Sequence, residues 1–145
     1  MILIELANVN QVEEMHGLLS AELVNPDSLN EIKHCVENYP SFVAYDRRQL
    51  IVGLSYSFGA GNDVLWLHGM HVHKDYRNVK IGSELLKHTE NRARVLGYTT
   101  MMLSNSMQYQ GVDKRSAVPF YDDHGYRQIF ETFNSPPTYI MIKEL

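Results

Sequence analysis

The sequence predicts an α+β domain of mixed α/β character, built on one central mixed sheet of about seven strands in the order β-α-α-β-β-β-α-β-α-β-β. Three observations carry that prediction. The apolar period switches repeatedly between helical spacing and strand-like runs. Clusters of Gly, Pro, Asn and Asp fall at the switches, where turns are needed. One run, Val64 to His73, is apolar on both parities at its start, as expected of a central strand covered on both faces.

Taken in order, Ile2 to Leu6 is rich in branched apolar residues and reads as a strand. Asn8 or Asn10 caps the helix that follows, whose inward positions are Val12, Met15, Leu18, Leu19 and Leu23. Asn25-Pro26-Asp27 breaks it. A second helix, capped by Asp27 or Ser28, turns Leu29, Ile32, Cys35 and Val36 inward and ends at Tyr39-Pro40. Ser41 to Tyr45 and Leu50 to Phe58 read as a hairpin around the polar turn Asp46-Arg47-Arg48-Gln49. After Gly59-Ala60-Gly61-Asn62-Asp63 comes the Val64 to His73 strand. Helical spacing returns from Ile81 to Leu96 through Ile81, Leu85, Leu86, Ala93 and Leu96, with Gly97 placed to end it. Thr99 to Leu103 is a strand, parallel to its predecessor because a helix crosses over between them. The polar stretch Ser104 to Lys114 leads to a short helix near Ser116 to Asp123, stopped by Gly125. Pro119 implies a late start or a kink in that helix. Gln128 to Phe133 and Thr138 to Ile142 are the last strands, joined through Asn134-Ser135-Pro136-Pro137.

Bulk properties narrow the function. A chain of 145 residues, 44% hydrophobic and 21% charged, fits one globular domain spanning 1–145. The net charge of −4 argues against a nucleic-acid-binding module, and the basic residues form no aromatic-interleaved stripe. No apolar run approaches the ~20 residues of a membrane helix. The first residues lack the basic region and cleavage site of a signal peptide. The single cysteine, Cys35, forms no internal disulfide and reads as an inert, half-buried thiol, so a cytoplasmic location is expected.

The chemistry concentrates in Met70-His71-Val72-His73-Lys74-Asp75-Tyr76-Arg77-Asn78-Val79-Lys80-Ile81-Gly82-Ser83, which runs strand, loop, helix. A helix starting near Ile81 leaves its first N–H groups without helical partners and places about half a positive charge there, a natural seat for a diphosphate. Gly82 lets the backbone approach such a guest closely. The segment resembles the phosphate loop of the GNAT superfamily of N-acetyltransferases: Arg or Gln, two free positions, Gly, one free position, then Gly or Ala. Arg77 and Gly82 match, and Lys80 stands where the family has glycine. Lys80 would hinder a close approach if a positive φ is required, or would add a charge contact to the phosphate. A second segment, Ala117-Val118-Pro119-Phe120-Tyr121-Asp122-Asp123-His124-Gly125-Tyr126, resembles the family's closing motif.

The resemblance implies acetyl-CoA as co-substrate and an amine acceptor. It puts Arg77, Asn78, Val79, Lys80, Ile81, Gly82 and Ser83 at the diphosphate, and Met70, His71 and Val72 along the pantetheine and the oxyanion. Two adjacent parallel strands, about 64–73 and 99–104, splay apart in this family, and Gly69 either marks the bulge that opens them or makes room for a neighbouring side chain. Tyr121 falls on the tyrosine that protonates the departing CoA thiolate; the bland alternative is a packed aromatic. His68, His71, His73 and Glu131 are candidates for a base, with His68 and His71 favoured. Strand alternation puts His71 and His73 on one face and His68 on the other. Three histidines without a cysteine or carboxylate nearby in sequence do not make a metal site, so none is expected. The acceptor pocket falls between Val24 to Ser28 and Phe133 to Tyr139, where Asp27 and Glu22 either attract a cationic amine or are a solvated helix start. The function expected is acetyl transfer to a primary amine of a small molecule or protein. The alternative is a non-catalytic acyl-CoA-binding or regulatory domain that keeps the fold. A homodimer through the sheet edge or last strands is left open.

Overall fold

A computed structural model of the chain describes residues 2–77, 79–105, 117–132 and 138–145. Seven strands form one sheet in the order β1-β2-β3-β4-β5-β7-β6. They are β1 (Leu3–Leu6), β2 (Ser41–Tyr45), β3 (Ile51–Gly59), β4 (Val64–Val72), β5 (Thr100–Asn105), β6 (Arg127–Glu131) and β7 (Tyr139–Glu144). The helices are α1 (Val12–Glu22), α2 (Leu29–Asn38), α3 (Ile81–Val95) and α4 (Val118–Asp123). The expected element order is therefore observed. All strand pairs are antiparallel except β4 with β5, the one pair joined by a crossover helix. Among the described residues no helix is long and apolar enough to cross a membrane.

Local chemistry accounts for most boundaries. Asn8 and Gln11 form a reciprocal capping box over the single 3-10 turn Val9–Gln11 that opens into α1. The Ser28 hydroxyl accepts the Glu31 N–H and caps α2, which leaves Asp27 free of that duty. Pro119 sits in the first turn of α4, where its missing N–H costs nothing, and the helix starts at Val118. Gly97 and Gly125 take the left-handed backbone that follows α3 and α4.

Two apolar layers sandwich the sheet. Met15, Leu19 and Ile32 from α1 and α2 pack on Val43, Leu54 and Tyr56 from one face. Leu86 and Ala93 from α3, and Tyr121 from α4, pack on Leu65, Leu67, Met101, Leu103 and Met141 from the other. Glu90 is buried inside this second layer. It accepts from the Tyr126 hydroxyl at 2.7 Å and from Lys143 Nζ at 2.9 Å, which ties α3 to the end of the sheet.

The register of β4 changes midway. Tyr56 stands opposite Gly69 and Ser57 opposite Leu67, so His68 is an extra residue, a β-bulge. Leu65 and Leu67 face α3 before it, and Met70 and Val72 face α3 after it. Parity has slipped by one residue. As a result His68 and His71 both point toward α1 and α2, whereas strict alternation would place them on opposite faces.

Candidate active site

The same bulge coincides with a fork in the sheet. β4 pairs with β5 from Val64↔Thr100 to Leu67↔Leu103. Beyond Leu67, among the described residues, β4 continues beside β3 while β5 continues beside β7. The fork opens a cavity of about 280 Å³. Its walls are Tyr56, His68, Gly69 and Met70 on one side and Leu103, Ser104, Asn105, Ala117 and Tyr121 on the other. Leu19 and Leu23, with Asn25 and Asp27 from the segment after α1, close one end, and Thr138 borders it.

Gly69 is required here by space. A Cβ at this position would lie 2.5 Å from Cε1 of Tyr56 and closer still to Cζ and Oη. The ring fills the room the glycine leaves. Its hydroxyl donates to Asp27 Oδ2 at 2.5 Å, and burial followed by that carboxylate holds the phenol strongly toward its protonated form. Tyr56 carried no signal in the sequence, since nothing marks a tyrosine inside a hairpin strand as a pocket wall. Asn105, buried at the end of β5, is a second cavity residue without a motif of its own.

His68 Nε2 lies 3.3 Å from Asp27 Oδ2 and 3.4 Å from Glu31 Oε2. Its ring packs edge-on against Tyr56 and Phe58. Sequence spacing showed no carboxylate near these histidines, yet the fold brings two from 37 and 41 positions away in the chain, 68 − 31 and 68 − 27. Asp27, Glu31 and His68 are also the described side chains whose ligand atoms converge closely enough for a cation. Nearby Cys35 is buried. Burial first, then the Asp27 and Glu31 charges, push its thiol up to about 11, so it is protonated and unreactive at neutral pH.

His71 has a different setting. It is 3% exposed and does not line the cavity. Its Nε2 is 2.6 Å from Glu22 Oε1. Burial pulls its pKa below the ordinary histidine value, against the pull of that carboxylate. His73 Nε2 lies 3.5 Å from the other Glu22 oxygen. Glu22 therefore faces this histidine pair, while Asp27 faces the cavity. Glu131 is exposed on outer strand β6, away from the cavity walls.

Lys80 caps α3 at φ 66, in the left-handed region, so it adopts the very conformation for which glycine is suited. No side chain caps this N-terminus, and the first N–H groups, from Ile81, Gly82 and Ser83, open the helix. Ile81 is buried against the sheet and sets the direction of the helix axis. The site of a Cβ on Gly82 is 3.5 Å from Phe120 of α4, and Ser83 Oγ meets His124 Nε2 at 3.0 Å. Val79 is exposed, Met70 lines the cavity, and Val72 packs toward α3. The Arg77 guanidinium donates through Nε to the Val72 carbonyl at 3.2 Å, and its Nη2 is 3.9 Å from Glu22. Asn78 and the 106–116 and 133–137 segments, which include the gate Asn134-Ser135-Pro136-Pro137, lie outside the described residues. The structure thus brings together His68, Met70 and Tyr121 at the cavity and Lys80 to Ser83 at the helix start, and sets His71 apart.

Comparison with known proteins agrees with this geometry. The profile of the family described as acetyltransferase (GNAT) domain matches residues 37–128, well over half the chain. None of the curated proteins matches. A GNAT-family acetyltransferase from Staphylococcus aureus Mu50 superposes with a TM-score of 0.79 at 24% identity, covering 100% of this chain and 99% of its own. The ribosomal-protein-S18-alanine N-acetyltransferase of Escherichia coli gives 0.82 at 16% identity, over 99% and 94%. The PaiA N-acetyltransferase of Thermoplasma acidophilum, solved with coenzyme A, gives 0.74 at 16% identity, over 100% and 99%. At these identities the superpositions establish a shared fold.

Proposed function

The chain belongs to the GNAT acetyltransferase family, and from that premise we propose that it moves the acetyl group of acetyl-CoA to a primary amine of a small molecule or protein. The observation that carries the reading is the fork between β4 and β5, which holds a cavity with Tyr121 on one wall and His68 on the other. The uncapped start of α3 is suited to the diphosphate, because its N–H groups and dipole favour an anion.

The residues then divide the proton work. His68, whose Nε2 lies within 3.4 Å of Asp27 and Glu31, takes a proton from the attacking amine. The amine nitrogen bonds to the thioester carbon, giving a tetrahedral oxyanion that a β4 N–H near Met70 stabilises. As the C–S bond breaks, the Tyr121 hydroxyl gives its proton to the leaving thiolate and regains one from the protonated nitrogen of the tetrahedral intermediate, which leaves a neutral amide. Asp27, a carboxylate on the cavity wall, suits an acceptor that arrives as a cation.

Release of CoA thiol from acetyl-CoA in the presence of assorted primary amines tests the reading. Amine-dependent release is the expected result. Tight acetyl-CoA binding with no release for any amine would overturn it in favour of a non-catalytic acyl-CoA-binding or regulatory domain.

A further inference from the structure

We infer that Glu22 is a positioning residue whose carboxylate fastens the root of the acceptor-side segment to the root of the phosphate loop. The inference rests on the acetyl-transfer reading above. Glu22 is the last residue of α1, and its side chain is 10% exposed. Directly after it, Leu23, Asn25 and Asp27 line the cavity. Its partners belong to the other substrate's side. Oε1 accepts from His71 Nε2 at 2.6 Å and from the Lys74 backbone N–H at 3.2 Å. Oε2 lies 3.4 Å from the same N–H and 3.5 Å from His73 Nε2. Arg77 Nη2 stands 3.9 Å from Oε1, and its Nε is tied to the Val72 carbonyl.

These partners run from the end of β4 at His71 to Arg77, the stretch that precedes the loop to α3. One largely shielded carboxylate therefore meets three cationic or titratable side chains and a main-chain donor, from 49 to 55 positions further along the chain, 71 − 22 to 77 − 22. A carboxylate with so little access to water depends on its protein partners, and these sit at the root opposite its own. The physical consequence is coupling: loosening either root deprives the other of its anchor. Glu22 makes no contact with the cavity itself, so its effect on the reaction passes through placement of the two loops.

The test uses the full chain carrying Glu22→Ala and, separately, Glu22→Gln. Calorimetry should show CoA binding weakened about tenfold by alanine, the scale of one lost charge-assisted hydrogen bond. Glutamine, which retains shape and one acceptor, should recover part of that loss. The KM for the amine should rise in parallel, while kcat at saturation of both substrates changes by less than about threefold. Hydrogen exchange at the Lys74 amide should speed up in both variants. If alanine prevents folding, the glutamine variant carries the comparison. CoA affinity and amine KM both within about twofold of the parent would overturn the inference, as would a loss confined to kcat. Calorimetry and hydrogen exchange need no turnover. A failure of the acetyl-transfer reading would show as absent thiol release in the parent chain, with the Glu22 effect on CoA binding still measurable.

Discussion

Replacing Gly69 with alanine puts a methyl carbon into space occupied by the Tyr56 ring, since the site of that carbon is 2.5 Å from Cε1 and nearer to two other ring-end atoms. The neighbour cannot yield cheaply. Tyr56 is 2% exposed, packed among α1 and α2 side chains, and held at its far end by the Asp27 carboxylate. Two costs follow. Overpacking a tight core costs ~1–3 kcal/mol. Pulling the hydroxyl off a carboxylate removes a charge-assisted hydrogen bond of ~1.5–3 kcal/mol. Together they predict a loss of about 2.5–6 kcal/mol, a large share of the ~5–15 kcal/mol that stabilises an ordinary domain. Urea unfolding of Gly69→Ala against the parent measures it directly. The decisive control is the Tyr56→Ala background, where the ring is gone and the added methyl should cost less than ~1 kcal/mol. A loss below ~1 kcal/mol in the parent, or the same loss in both backgrounds, would refute the packing argument.

The remaining predictions address the chemistry and the loop. Tyr121→Phe should lower kcat by ~10²-fold or more while leaving CoA affinity by calorimetry within about twofold; an unaltered kcat removes the acid role. Lys80→Gly relieves a left-handed backbone costing ~1–2 kcal/mol and adds glycine's flexibility penalty of ~0.5–1 kcal/mol. Denaturant unfolding should therefore show a net gain of up to ~1.5 kcal/mol, and a loss would contradict the strain at φ 66. His71 gives a pH signature. Its folded pKa is lowered, by burial more than by Arg77 and His73, so the unfolded chain binds the extra proton first. This contribution to stability is complete above the unfolded value near ~6.5 and is lost as pH falls through the lower folded value. Unfolding curves across that window should steepen with acid in the parent and flatten in His71→Gln; identical slopes would exclude His71 as a source.

Element order, the crossover helix and the strand-to-helix turn before Ile81 were all legible in the sequence, because each depends on short-range rules. Apolar period, capping chemistry and turn residues act over a few positions, and Val12, Met15, Leu19, Ile32, Leu85 and Leu86 are buried as their spacing predicts. Arg77, Gly82 and Tyr121 could be named for a similar reason, since the family resemblance is carried by residues in two short runs. Even the departure at Lys80 was visible as a departure, although only the backbone shows that lysine takes the left-handed conformation there.

What tertiary structure alone decided is which side chains meet across the fork. One extra residue at His68 shifts the parity of β4 and turns His68 and His71 to the same face. Gly69 marked a bulge as one of two readings, but which residue is the extra one depends on how two strands register against each other. Once His68 faces α1 and α2, Asp27 and Glu31 become its neighbours, and Tyr56 occupies the space Gly69 leaves. Glu22 goes instead to His71, His73 and the Lys74 amide. Sequence determined the architecture because element order and the strand-loop-helix turn follow from spacing along the chain. The fold assigned the carboxylates to their partners because those contacts depend on long-range packing and strand register.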